Sequence, residues 1–256
     1  MTWPSRLEVV ERAEAVGNRG TVRIDEAQAG LAIVLVGNRP IVELTQEDAE
    51  AAGDASLNAH AAGIGENVRS ALKSEHVNMP PFVTSLKGKS GRLMGGNRAD
   101  YGLRNPVATA VESATPTFRW NAVEGAENYT VTIYDAGSKK VLTSGPVLES
   151  IWRADSALER GRTYSWQVRA IKEGREVLMP PPAAPEAKFR IIEQNKLQEI
   201  QLARKSNSKS YLVLGVLYAE VGMLDESERE LKKLIDANPK STVARNLLRS
   251  VRSIRR

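Results

Sequence analysis

The chain has two histidines, His60 and His76. Neither lies in metal-ligand spacing with another histidine, a cysteine or a paired carboxylate, so both are expected in structural or solvent-facing roles. The string GKSGRLMGG places Gly88, Lys89 and Ser90 as the last three residues of a phosphate loop. The opening glycine of that motif would fall on Val83 or Thr84, and no strand pattern leads into it, so a nucleotide site is not expected. No G-x-S-x-G elbow occurs, and the segments after Asp54 and Asp135 lack the alternating oxygens of a calcium loop. Carboxylates cluster at Asp225, Glu226, Glu228 and Glu230. On one helix they form a salt-laced exposed face, with Glu228 four residues before Lys232. Acid–base work needs carboxylates facing each other across a cleft with separated pKa values, which a single helix does not supply. No catalytic residue, cofactor or metal follows from these patterns.

Composition narrows the field further. The 256 residues, 41% hydrophobic, suffice for one large core or two modest ones. The net charge of +5 rests largely on Arg245, Arg249, Arg252, Arg255 and Arg256. Without interleaved aromatic residues this reads as a solvated helix end, and no nucleic acid is expected. The lack of cysteine excludes disulfides, thiolate zinc sites and thiol nucleophiles. MTWPSRLEVVERAEAVG has neither the basic start nor the apolar core of a signal peptide, and no run approaches the ~18 apolar residues of a span. The expectation is a chain without a membrane span, cytoplasmic as written, or periplasmic and envelope-associated if a signal or anchor precedes it.

The elements that must position these residues fall into three segments, 1–102, 103–192 and 193–256. In the first, a mixed α/β region, Leu7, Val10 and Ala13 after Ser5 predict a helix over 5–16. TVRID (21–25) and LAIVLV (31–36) predict two strands joined by a turn at Gly30. Helices are expected from Thr45 to Ala52 and over 65–77, the latter with Val68, Leu72 and His76 on one face. The stretch 86–102, with five glycines, has the composition of a linker.

From residue 105 the texture is short β-rich runs: VATAVES, TPTFRWNAV, NYTVTIYDA, KKVLTSG, SIWRADS, TYSWQVRAI and AKFRII. Seven such strands, with Tyr129, Val131 and Ile133 on one face and Tyr164, Trp166 and Val168 on another, predict a two-sheet β-sandwich with an aromatic core. The proline-rich MPPPAAPEA (179–187) reads as an edge crossing before the last strand. PTFRWNAVEGAENYTVTIYDAGSKKV with LERGRTYSWQVRA resembles the fibronectin type III and immunoglobulin-like modules of bacterial envelope proteins. Trp120, Gly125, Tyr129 and Trp166 match its anchors. The resemblance implies a fold and leaves chemistry open.

The third segment turns helical. IEQNKLQEIQLARK puts Leu197, Ile200 and Ala203 on one line and Ile192, Lys196 and Glu199 on another. YLVLGVLYAEVGMLDESERELKKLIDANPKS resembles one tetratricopeptide (TPR) unit, with Tyr211, Leu214, Gly215, Tyr218, Ser227, Leu231 and Pro239 at the pattern positions. STVARNLLRSVRSIRR offers Val243, Leu247, Val251 and Ile254 to a further helix. A lone hairpin must lean on neighbours. The resulting fold class is α+β multidomain: a mixed N-terminal region, a seven-stranded immunoglobulin- or fibronectin-like sandwich, and TPR-like hairpins. The expected function is a non-catalytic protein–protein interaction or scaffolding module in a bacterial envelope-associated or signalling assembly. Its partner would be a protein held near Tyr211, Leu214, Tyr218, Arg245, Arg249 and Arg252. Two alternatives stay open: the extracytoplasmic sensor segment of an anti-sigma-type regulator, and a hydrolase with its site in the N-terminal region.

Overall fold

The computed structural model describes residues 21–28, 30–37, 39–86, 102–205 and 210–255. The helix expected over 5–16 and nearly all of the glycine-rich stretch lie outside them. In chain order the elements are β1 (Val22–Gln28), β2 (Leu31–Val36), β3 (Arg39–Thr45), α1 (Gln46–Ala52), α2 (Leu57–Ser74) and α3 (Phe82–Ser85). Nine strands follow: β4 (Leu103–Asn105), β5 (Thr109–Val111), β6 (Thr117–Trp120), β7 (Asn128–Asp135), β8 (Lys140–Thr143), β9 (Ile151–Arg153), β10 (Thr163–Lys172), β11 (Arg175–Met179) and β12 (Ala187–Ile191). The chain then forms α4 (Gln194–Lys205), α5 (Tyr211–Glu220), α6 (Leu224–Ala237) and α7 (Thr242–Arg255).

The fold is mixed α+β, and the chain divides into two units. The first draws on Met1–Pro80 and Gln194–Ile254; the second is Pro81–Glu193. This differs from the three-segment division: the first and third segments share one unit, and the second unit is inserted between them in sequence. The physical reason lies in α5. YLVLGVLYAE has no polar face, and the side chains from Leu212 to Ala219 are all buried. A helix apolar all round needs neighbours on every side. It finds them in α6, α4 and α2, so the C-terminal helices take up the N-terminal segment as part of their core.

In the first unit β1, β2 and β3 form an antiparallel meander. Strand β2 is buried from Ala32 to Val36, and α2 packs on the sheet through Ala61, Val68 and Ala71. Strand β3 was not expected because Pro40 interrupts RPIVELT. It lies at the edge of the sheet beside a register shift, where a missing N–H is tolerated. Helix α2 begins eight residues before the expected start, capped by Ser56, whose Oγ accepts from Ala59 N at 3.2 Å. It ends before His76, which is exposed and bonded to the Ser74 carbonyl.

Helices α5 and α6 make a close hairpin. A Cβ on Gly215 would sit 2.9 Å from Leu231 Cδ2, and Ser227 Oγ donates to the Gly215 carbonyl at 2.7 Å. Gly222, with φ 76°, makes the turn, and Asn238 before Pro239 ends α6.

In the second unit β5-β12-β10-β7-β8 form one sheet, with β11 on β10, and β4-β6-β9 form another. The expected seven strands are thus nine, since Arg175–Met179 folds back on β10 and Leu103–Asn105 pairs with β6. Both sheets feed one core: Phe118 and Trp120 from the smaller, Tyr129, Val131, Ile133, Tyr164, Trp166 and Phe189 from the larger. Phe118 lies 4.9 Å from Trp166 and 5.4 Å from Phe189, centroid to centroid. Trp166 Nε1 donates to the Pro106 carbonyl at 2.7 Å, so the indole is satisfied as well as buried.

Two stability outcomes follow. Trp166→Ala should lower the stability of the second unit by about 3–5 kcal/mol in chemical denaturation; a loss under about 1 kcal/mol would contradict the packing described. Gly215→Ala should destabilise the first unit despite the better helix propensity of alanine, since overpacking costs about 1–3 kcal/mol. If the clash is the cause, adding Leu231→Ala to Gly215→Ala should cost less than the sum of the two single losses.

Candidate functional site: a polar seam in the first unit

Apolar packing accounts for most of the first unit, so the polar groups that enter it stand out. Glu220 closes the otherwise apolar α5, and Glu199 lies on α4 next to the buried Leu197–Ile200 stripe. Asn67 reaches from α2 and donates through Nδ2 to Glu220 Oε2 at 2.8 Å. Lys196 Nζ donates to Glu199 Oε2 at 2.7 Å. His60, on the same helix as Asn67 and only 4% exposed, bonds through Nδ1 to Asp54 Oδ2 at 2.6 Å. Asp48, also buried, accepts from Thr45 N and Oγ1 at 2.7 and 2.9 Å at the start of α1.

Asp48, His60, Asn67, Glu199 and Glu220 line one cavity with an apolar wall that includes Val42, Leu44, Ile64 and Leu214. Its volume of about 20 Å³ leaves room for about one water molecule. Burial pushes the Glu220 carboxyl up to about 8, helped by the negative charge of Glu199; Lys196 and the Asn67 bond oppose this only in part. Burial pushes the Lys196 ammonium the other way, but the Glu199 bond and the charges of Glu199, Glu220 and Asp54 outweigh it and raise its pKa. At neutral pH Glu220 therefore holds its proton beside the ion pair of Lys196 and Glu199. The group can bind and release a proton near neutrality, and the cavity has no room for an organic substrate.

Of the residues expected to meet a partner, Leu214 and Tyr218 are 7% and 4% exposed, inside the unit. Leu214 is part of the cavity wall, and Tyr218 accepts from Arg204 Nε through its hydroxyl at 2.6 Å. The face of the hairpin expected to be open or self-filled is filled by the chain itself. Tyr211 is half-buried, with Lys233 Nζ 5.7 Å above its ring. Arg245, Arg249 and Arg252 do lie on the exposed side of α7. Arg245 donates to the Pro239 carbonyl, Arg249 to Asn246 Oδ1 at 2.6 Å, and Arg252 to Glu228 Oε1 at 2.9 Å.

The carboxylate face of α6 is less exposed than its spacing predicts. Glu230 is buried and bonded to Lys233 at 2.8 Å, while Glu228 meets both Lys232 and Arg252. Burial would raise the Glu228 carboxyl, but these two cations carry it below the usual range. The seam itself was missed in the sequence, because its members come from 48–67 and 196–220. The one local signal was Glu220 ending an apolar helix. No family model matches the chain, and no curated protein sequence matches it.

The proton on Glu220 gives stability a definite pH dependence. Between the ordinary value of 4.5 and about 8 the folded state holds a proton that the unfolded chain has released. Stability should be fullest below that window and fall as pH rises through it, with a slope of up to about 1.4 kcal/mol per pH unit. Glu220→Gln keeps the shape without the titration. Denaturation from pH 5 to 9 should show a flatter profile for this variant and a higher stability than the parent above pH 8.

Proposed function

We propose that the chain is a non-catalytic interaction module of the kind found in bacterial envelope-associated assemblies, with an immunoglobulin- or fibronectin-like sandwich as its presenting unit. Several features of the second unit support the sandwich reading. One sheet has the order β4-β6-β9, the other β8-β7-β10-β12, and β5 pairs parallel with β12 at the far edge. Tyr164, near the start of β10, accepts from Glu159 N at 2.9 Å and donates back to the Glu159 carbonyl, a corner typical of such folds. The close α5–α6 hairpin likewise favours a TPR-like unit, here used as a structural core and not as an open peptide groove. In this reading the filled hairpin moves partner contact away from Tyr211, Leu214 and Tyr218.

The observation that carries the proposal is the free edge at β8. Among the described residues this strand pairs only with β7. Beside it stand the two most exposed large apolar side chains of the described chain, Val141 at 46% and Leu148 at 81%. An edge with unused backbone donors and acceptors and adjacent apolar side chains suits an extended segment of a partner protein, added as a further strand. Lys139 and Lys140 at its start favour an acidic partner segment and guard the edge against pairing with itself. The hydrolase alternative lacks support from the polar seam, whose cavity is too small for a substrate.

Deleting residues 193–256 would remove half of the first unit's core and cannot report on partner binding. The test is a surface variant: Val141→Lys with Leu148→Glu should leave the unfolding free energy within about 0.5 kcal/mol of the parent. It should abolish recovery of the crosslinked partner from cell-envelope extract. Equal recovery by parent and variant would refute the edge as the docking site.

A further inference from the structure

The seam cavity has room for about one water molecule, but a second polar concavity of the first unit is far roomier. It has a volume of about 370 Å³ and is lined by Lys73, Ser74, Glu75 and His76 from the end of α2 and by Asn246, Arg249, Ser250 and Ser253 from α7. Its wall thus comes from two segments that lie far apart in sequence. Internal bonds fix part of it: Asn246 Nδ2 donates to Glu75, Arg249 donates to Asn246 Oδ1 at 2.6 Å, and Ser250 Oγ accepts from Val77 N at 3.2 Å. Ser250 is buried at the floor.

Arg252, Lys232, Lys233 and Arg229 each meet a carboxylate. Among the described residues, no ion pair involves Lys73 or Arg249, although both line the recess. The one carboxylate there, Glu75, is held by Asn246. His76 Nδ1 donates to the Ser74 carbonyl at 2.7 Å, so Nε2 is the accepting nitrogen of the neutral ring and the imidazole serves as a neighbour of the site, not as a donor to it. The hydroxyls of Ser74 and Ser253 already donate to the Ser70 and Ser250 carbonyls, so the guanidinium and the ammonium are the donors that this concavity offers to an anion with several oxygens. A carboxylate would use only one fork; a phosphoryl group has three oxygens to share among donors on both walls.

We propose that this recess binds a phosphoryl group, free or carried on a larger molecule, between Lys73 on one wall and Arg249 on the other. Because the walls come from both halves of the first unit, a bound anion holds them together and raises the unit's stability by mass action. The site is independent of the β8 edge: the one can fail and the other stand.

The experiment follows thermal denaturation and the His76 ring resonances at pH 7 and fixed ionic strength. Inorganic phosphate and a phosphoserine peptide serve as the two probes, with acetate and the unphosphorylated peptide as their controls. The expected result is a saturable rise in midpoint with movement of the His76 signals for at least one phosphoryl probe. That response should weaken at least tenfold in Lys73→Ala with Arg249→Ala. Both side chains are exposed, so this variant should fold, which circular dichroism checks; Lys73→Glu offers a second variant that repels the anion. A larger effect of the peptide than of free phosphate assigns the source as protein-borne, and the reverse assigns a free ligand. No saturable response to either probe, equal responses to acetate, or an undiminished response in both variants would each overturn the site.

Discussion

The enclosure of α5 is the constraint on which the first unit depends. Ten residues with side chains buried from Leu212 to Ala219 cannot be shielded by one partner helix. The Gly215–Leu231 approach brings α6 against one side, and α4 and α2 cover others. Of the three covering helices, α2 is encoded before the second unit, and α4 and α6 after it. The first unit therefore cannot complete its core until the chain on both sides of Pro81–Glu193 has come together, which makes its contacts long-range in sequence.

The inserted unit reduces the cost of that closure. At its two ends, the Arg190 guanidinium lies 4.6 Å from the Phe82 ring centroid, and Arg190 NH2 donates to Glu193 Oε1 at 2.5 Å. Entry and exit of the second unit are thus held near each other by a cation–π contact, while the ion pair orders the exit segment itself. Once it has folded, it behaves toward the first unit as a short connection and not as a long flexible loop, and the entropy of joining the two halves falls accordingly. Folding of the insert before the unit that surrounds it in sequence is consistent with this geometry.

Much of the second unit was legible because period-2 alternation reports directly on a sheet with one buried face. Tyr129, Val131 and Ile133 are buried as their spacing implies, and so are Tyr164, Trp166 and Val168. The additional strands were harder to see: Arg175–Met179 is mostly exposed and so lacks the alternation, and Leu103–Asn105 is too short to show it. In the first unit the helices were legible from the periodicity of α2, α6 and α7, but α5 has no period to read. A sequence can show that a helix lacks a polar face without showing what covers it. The TPR-like spacing of Tyr211, Leu214 and Tyr218 suggested an outward binding face for that reason, and the covering elements proved to be the chain's own. The seam was invisible for a related reason, since Asn67, Glu199 and Glu220 are joined only by the tertiary fold.

That division between inward and outward chemistry bears on what the protein can do. Inside, every ionisable group of the seam has a stated partner: Glu220 has Asn67, Glu199 has Lys196, His60 has Asp54. Such a network fixes one arrangement of α2, α4 and α5, because a shifted helix would leave a buried carboxyl unmatched. Its proton on Glu220 relieves what would otherwise be two negative charges in one apolar corner. Among the described residues, groups outside the core include the outer edge of β8 with Val141 and Leu148, and the cations Lys73 and Arg249. In the reading proposed above, the strand meets an extended backbone and the cations meet an anion.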